Sequence, residues 1–203
     1  MTTPWTGRAE ELDRMWLRRG IPEYRAKMAN IVVRYMSKHP EATMLDAGCG
    51  TGLLYALLPS WVQERYVGLD FDHDMLEYAS QHYPEGDFRH GNVLDIKDLP
   101  YVDLIVTQNV LQHIIPWQFA AECLLVGARH AALFCERSNQ VRTMAKTYEP
   151  VISWSFKEDD MLKTLGYIGG LWWDDVKGPR VLARPRCTDG RRGVLSIYGM
   201  RRA

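Results

Sequence analysis

The sequence predicts an α/β domain built on a mostly parallel, doubly wound sheet. Two observations carry that reading. Short apolar runs alternate with amphipathic stretches across the middle of the chain, the pattern of strands buried on both faces by intervening helices. One of those runs ends in a glycine-rich turn that opens a helix, and right-handed crossovers then wind the sheet on both sides.

The elements follow in order. Residues 9–19 and 23–37 place apolar side chains at spacings of three and four and predict two helices. Gly20-Ile21-Pro22 breaks them. Strands are predicted at residues 44–47, 66–69, 87–90, 103–107 and 131–135, with helices at 53–58, 74–81 and 117–127 between them. The last third reads differently: a helix at 157–165, then extended stretches at 168–173 and 193–200 with no helix between. Such a pair predicts an antiparallel hairpin at the sheet edge. The joining stretch is rich in Pro, Gly and Arg and reads as a loop.

Composition narrows the function. The chain has 203 residues, 46% hydrophobic and 25% charged, which fits one globular domain able to form a core without disulfides or a structural metal. Lys+Arg and Asp+Glu number 25 each. A zero net charge argues against a protein that coats nucleic acid or anionic membrane. Residues 174–203 do hold seven Arg and one Lys against three Asp, a local excess of five positive charges. No apolar run reaches membrane-span length, and the N-terminal stretch lacks a signal-peptide core. Cys49, Cys123, Cys135 and Cys187 show no metal-ligand spacing. The expectation is a metal-free protein of a reducing cytoplasm.

The most informative stretch is Met44-Leu45-Asp46-Ala47-Gly48-Cys49-Gly50-Thr51-Gly52. Glycines at a strand-to-helix turn let the backbone turn tightly and let a ligand approach with no Cβ in the way. A dinucleotide fingerprint needs its third glycine at position 53, which is Leu53, and a Walker loop needs Gly-Lys-Ser/Thr, which is absent.

The stretch resembles motif I of the class I S-adenosylmethionine-dependent methyltransferases of the small-molecule type, where an acidic residue precedes the first glycine by two, as Asp46 precedes Gly48. Three further segments follow in the family's order. Tyr66-Val67-Gly68-Leu69-Asp70-Phe71-Asp72 puts Asp70 24 residues after Asp46. Phe88-Arg89-His90-Gly91-Asn92-Val93-Leu94-Asp95 is similar to the segment that reads the adenine edge. Asp103 to Ile114 is similar to the family's post-motif strand and helix. The resemblance implies a seven-stranded sheet with an antiparallel edge hairpin, and S-adenosyl-L-methionine as cofactor with S-adenosyl-L-homocysteine as product. It implies that Asp46, Gly48, Cys49, Gly50 and Gln108 line the cofactor, that Asp70 binds the ribose, and that Phe71 packs on adenine. Asn92 stands where many members have Asp and would accept from the adenine amino group, while the Val93 backbone N–H would donate to the ring. Residues 1–40 would form a helical lid on a 41–203 core.

In this family the cover segments line the acceptor pocket. The resemblance therefore places Trp16, Tyr24, Asn109, Glu136 and Trp154 there, with Arg25 or Tyr24 reaching the cofactor carboxylate. His113 follows the fourth strand, at the end of the sheet where open α/β folds bind ligands, and is the candidate general base. The expected reaction is in-line methyl transfer to an O or N of a small-molecule acceptor, governed by alignment and desolvation. Two alternatives stay open: an RNA or protein methyltransferase using the Arg-rich tail, and a protein that binds the cofactor without turnover. Base-amine methylation would call for Asn/Asp-Pro-Pro-aromatic after the fourth strand, where this chain reads Thr107-Gln108-Asn109-Val110.

Overall fold

A computed structural model of the chain describes residues 5–18, 20–21, 23–95, 97, 99–114, 116–138, 144–148, 151–154 and 194–201. Within these, the side chains of residues 16, 23, 24, 130, 131 and of everything from 134 onward lie outside the described set.

The chain opens with helices α1 (Ala9–Arg18) and α2 (Glu23–Lys38). It then alternates β1 (Met44–Ala47), α3 (Leu53–Leu57), α4 (Ser60–Gln63), β2 (Tyr66–Asp70), α5 (His73–His82), β3 (Asp87–His90) and β4 (Val102–Gln108). A 3-10 turn (Leu111–His113), α6 (Trp117–Gly127) and β5 (Ala128–Ser138) follow, then β6 (Met144–Tyr148), β7 (Val151–Trp154) and β8 (Val194–Arg201). Six strands form one sheet in the order β3-β2-β1-β4-β5-β8. β1 pairs parallel with β2 and β4, and β2–β3 and β4–β5 are parallel too. Only β8 runs antiparallel, against β5.

The expected doubly wound sheet with an antiparallel edge is therefore present, with six strands among the described residues. The expected seventh strand at 168–173 and the helix at 157–165 lie outside them. β5 runs from Ala128 to Ser138, well beyond the predicted core of 131–135, because β8 pairs along it from Ala131 to Ser138. A separate hairpin, β6 with β7, is an element that the sequence pattern did not predict.

Side-chain alternation assigns the two faces of the sheet. Leu45 and Ala47 of β1, Ile105 of β4 and Ala132 of β5 pack with Leu111, Trp117, Ala120, Ala121 and Leu124 on the α6 side. Met44, Tyr66, Leu104, Val106 and Leu133 pack with Met28, Val32, Met36, Leu54 and Tyr55 on the side of α2 and α3. The edge strand β3 differs: Asp87, Arg89 and His90 are all exposed, which blunts edge-to-edge pairing.

The strand order reverses at β1. The chain leaves β1 toward β2 and β3, then returns to the other side of β1 as β4. A crevice opens at such a switch point, outside the carboxyl ends of the strands. Here the glycine loop after β1 and the segment after β4 flank it.

Leu104 is fully buried at the centre of the sheet. Leu104→Ala should destabilise the protein by about 2–5 kcal/mol in urea unfolding, through lost burial and the cavity left behind.

Candidate functional site

The crevice is built first by backbone. Gly48, Gly50 and Gly52 all have positive φ (80°, 55° and 79°), a region that L side chains rarely adopt. Gly48 donates to the Leu69 carbonyl at 2.7 Å and Cys49 to the same oxygen at 3.0 Å, so the loop folds back over the end of β2. A Cβ at Gly48 would collide with Val110 Cγ2 from the β4 side. A Cβ at Gly50 would meet nothing within 4 Å. One glycine thus closes the crevice floor, and the next leaves an open cradle above it.

Asp70 ends β2 and faces this loop. Its Oδ2 accepts the Gly50 N–H at 2.8 Å and its Oδ1 accepts the Asp72 N–H at 3.0 Å. A further backbone hydrogen bond comes from Phe71, and a ligand hydroxyl would use the acceptor capacity that remains. Burial raises its pKa above the usual carboxylate range, against the pull of these backbone donors. Phe71 follows with its ring 46% exposed. Asp72 caps α5, its Oδ1 accepting from Asp74 N and Met75 N, the arrangement that favours Asp before a helix.

Asp46 sits deeper, 2% exposed on the α2 side of β1. The Tyr66 hydroxyl donates to it at 2.9 Å. Burial drives its pKa up to about 7, opposed by that hydrogen bond and by the positive charge of Arg25 on α2. Cys49 is buried in the loop, and burial together with Asp70 and Asp46 pushes its thiol well up, so it is inert as a nucleophile.

Across the crevice, Gln108 ends β4. Val106 pairs with Asp46, so Gln108, two residues on, shares the Asp46 face and stands at the level of Gly48. Gln108 is 7% exposed, and neither atom of its side-chain amide has a hydrogen-bond partner among the described residues. A buried amide left so costs about 1–3 kcal/mol, and a bound polar ligand removes that cost. Asn109 next to it has φ 60°, which Asn tolerates better than most residues, and it turns the chain into the 3-10 turn.

That turn carries His113. The Gln112 Nε2 lies 3.0 Å from His113 Nε2. Which of the two donates depends on the imidazole tautomer and the amide orientation. Trp5 meets the His113 ring edge to face with centroids 5.5 Å apart. β7 packs against the same turn.

Asn92 is exposed, and its Oδ1 already accepts the Leu94 N–H at 2.9 Å. It therefore shapes the loop after β3. Val93 is buried beside it. The side chains of Trp16 on α1, Tyr24 on α2, Glu136 on β5 and Trp154 on β7 lie outside the described residues, as does the Arg-rich stretch 174–193.

The residues that sequence reasoning missed are those of a strap over the site. Thr6 Oγ1 donates to Asp72 Oδ2 at 3.0 Å, and the Gly7 N–H donates to Asp74 Oδ2. Asp13 of α1 is buried, takes the Tyr78 hydroxyl at 3.0 Å, and faces Thr51 Oγ1 of the glycine loop at 3.4 Å. Burial and that Asp13 bond push Tyr78 up to about 12. The available signal was a carboxylate on the apolar face of an amphipathic helix, which a helix tolerates only with buried partners. Among the described residues no cluster of His, Cys, Asp and Glu suits a metal ion, and no helix is long and apolar enough to cross a membrane.

This loop, this acidic strand tip and this strand order define the class I fold of S-adenosylmethionine-dependent methyltransferases. Solved structures share it. An amino pentose methyltransferase from Micromonospora echinaspora with S-adenosylmethionine bound superposes with TM-score 0.69 at 12% identity, covering 95% of this chain and 96% of that one. Magnesium protoporphyrin IX methyltransferase from Synechocystis with S-adenosylmethionine bound gives 0.60 at 18% identity, covering 88% and 79%.

Residues 45–135 match the family model described as a methyltransferase domain. A probable S-adenosylmethionine-dependent methyltransferase of Mycolicibacterium smegmatis is 38% identical over 88 residues, 41% of this chain and 33% of that protein. Trans-aconitate 2-methyltransferase of an Azoarcus species is 38% identical over 72 residues, 35% of this chain and 28% of that protein. The matched segments thus span a third or less of these curated relatives. Residues 45–135 are thus similar to a methyltransferase domain, and the described residues have the fold of solved methyltransferases that bind S-adenosylmethionine.

Two outcomes follow from the loop. Gly48→Ala should destabilise the protein by about 2–4 kcal/mol, since it meets both the positive φ and Val110, and Val110→Ala in the same chain should restore part of that loss in urea unfolding. The second concerns pH. The folded protein keeps the Asp46 proton up to about pH 7, whereas an unfolded chain releases it near pH 4. Folded protein therefore binds more protons across that window, and stability falls as pH rises through it. Asp46→Asn should raise cofactor-free stability at pH 8 by about 2–4 kcal/mol and change it little at pH 4, measured by urea unfolding at both.

Proposed function

We propose that this chain transfers a methyl group from S-adenosyl-L-methionine to an oxygen or nitrogen of a small-molecule acceptor. The observation that carries the reading is the buried Gln108 amide, without a partner, at the level of the glycine loop. It fits a zwitterionic amino-acid moiety, which brings both hydrogen-bond donors and acceptors. The open cradle at Gly50 and the half-exposed Phe71 ring fit the rest of such a nucleoside cofactor.

When bound, the cofactor supplies a sulfonium-activated methyl group. The chain's own residues bind and align. Asp70 holds the ribose hydroxyls while it holds the loop. Phe71 packs against adenine, and Asn92 and Val93 meet its edge. Gln108 engages the amino-acid end, with Asp46 fixing β1 beneath it.

The acceptor side lies beyond Gln108. His113, on the turn after β4, is the candidate to orient an acceptor oxygen or nitrogen or to take its proton. The in-line geometry needs alignment and exclusion of water more than covalent help. Trp5 against His113 and the strap across Asp72, Asp74 and Thr51 support residues 1–40 as a lid that provides that exclusion. Small-molecule acceptors are named for the relatives with trans-aconitate and magnesium protoporphyrin IX, and the same class is proposed here.

S-adenosylhomocysteine at 100 times its dissociation constant should stabilise the wild type by about 2.7 kcal/mol, read as a rise in melting temperature. NAD should give no shift, and Asp70→Ala should abolish the shift with the adenosyl ligand. Homocysteine release across a panel of carboxylates, phenols and amines, coupled to S-adenosylhomocysteine hydrolysis, identifies the acceptor. Failure of every adenosyl ligand to shift the wild type overturns the reading. Binding without turnover on any acceptor favours a non-catalytic cofactor-binding protein.

A further inference from the structure

The turn after β2 is held almost entirely by backbone donors. The Asp70 carbonyl accepts from Gly91 N at 3.0 Å, and the Asp72 carbonyl from Leu76 N at 3.2 Å. Between them stands the Phe71 carbonyl, which takes a side-chain donor instead. His90 Nε2, at the end of β3, lies 3.1 Å from it. A carbonyl oxygen only accepts, so His90 carries its proton on Nε2.

The His90 ring is itself held. His73, the first residue of α5, stacks flat upon it, with centroids 4.0 Å apart and planes 4° apart. Two exposed imidazoles thus bridge the end of β3 to the start of α5, across the turn that presents Phe71. Both residues are exposed, and Phe71 itself is 46% exposed.

We propose that His90 is a positioning residue for the adenine of the cofactor. Through its Nε2–H bond to the Phe71 carbonyl it fixes the backbone from which the Phe71 ring projects, and His73 holds the His90 ring in the rotamer that makes the bond. This rests on the reading of Phe71 as the adenine platform. Fixing that platform before binding removes the ordering cost that the cofactor would otherwise meet.

The test is calorimetric binding of S-adenosylhomocysteine, with melting of each ligand-free variant alongside. His90→Ala should raise the dissociation constant about 5- to 10-fold, the worth of about one hydrogen bond, with the ligand-free melting temperature unchanged. His90→Gln, whose amide nitrogen reaches where Nε2 does, should return affinity to within about twofold of wild type. His73→Ala should fall between wild type and His90→Ala. Phe71→Ala should weaken binding, and His90→Ala added to it should weaken it no further, because the two act as one unit.

Wild-type affinity in His90→Ala overturns the proposal, as do additive losses in the double variant or no recovery with Gln. Unchanged affinity in Phe71→Ala overturns the adenine-platform reading and the proposal with it. No binding by wild type overturns the cofactor assignment itself, and the proposal with it.

Discussion

The carboxylate of Asp70 accepts from Gly50 in the loop after β1 and from Asp72 in the turn after β2. One side chain therefore joins the loop after β1 to the turn after β2. The bond exists only because β1 and β2 run parallel in register, Ala47 opposite Leu69, which brings both carboxyl ends to the same edge. It also depends on Gly50 holding φ 55°, so that its N–H turns toward β2. The cost of burying Asp70 shows in its raised pKa. A ligand that brings hydroxyl donors to those oxygens would offset it.

The same logic extends outward. The site gathers polar groups that an ordinary core would exclude: Asp13, Asp46, Gln108 and Gln112 are all buried. Asp46 is satisfied by Tyr66, Asp13 by Tyr78 and Thr51, and Gln112 meets His113. Among the described residues neither atom of the Gln108 amide has such a partner. A buried polar group left open at a topological switch point is the physical form of a binding site, because filling it recovers what folding left unpaired. The segment from Thr6 to α1 is tied to this region by hydrogen bonds to Asp72, Asp74 and Thr51.

Much of the scaffold was legible in the chain. Residues 44–47, 87–90 and 117–127 were read with the limits that the structure gives them. Apolar periodicity is a local property that the sequence displays directly. The glycine loop was legible because three positive-φ positions need glycine almost irrespective of context. Asp70 and Phe71 were legible by their distance from that loop. At Asn92 the structure uses the side-chain oxygen to hold Leu94, a local contact absent from the sequence reading. The hairpin of β6 and β7 was not foreseen, since short strands outside the main sheet carry a weak signal.

The amino-acid sequence by itself determined the fold class, the glycine loop and the acidic tip of β2, because each follows from local backbone preference or from spacing along one chain. Tertiary structure alone decided which distant groups meet. It set Trp5 on His113, Asp13 on Thr51, Val110 over Gly48 and His90 on Phe71. Each of those contacts joins segments far apart in the chain, and its geometry is fixed by how the strands stack and cross. Nothing in the period of either segment encodes the partner, so the residues that shape the crevice emerge only when the sheet is assembled.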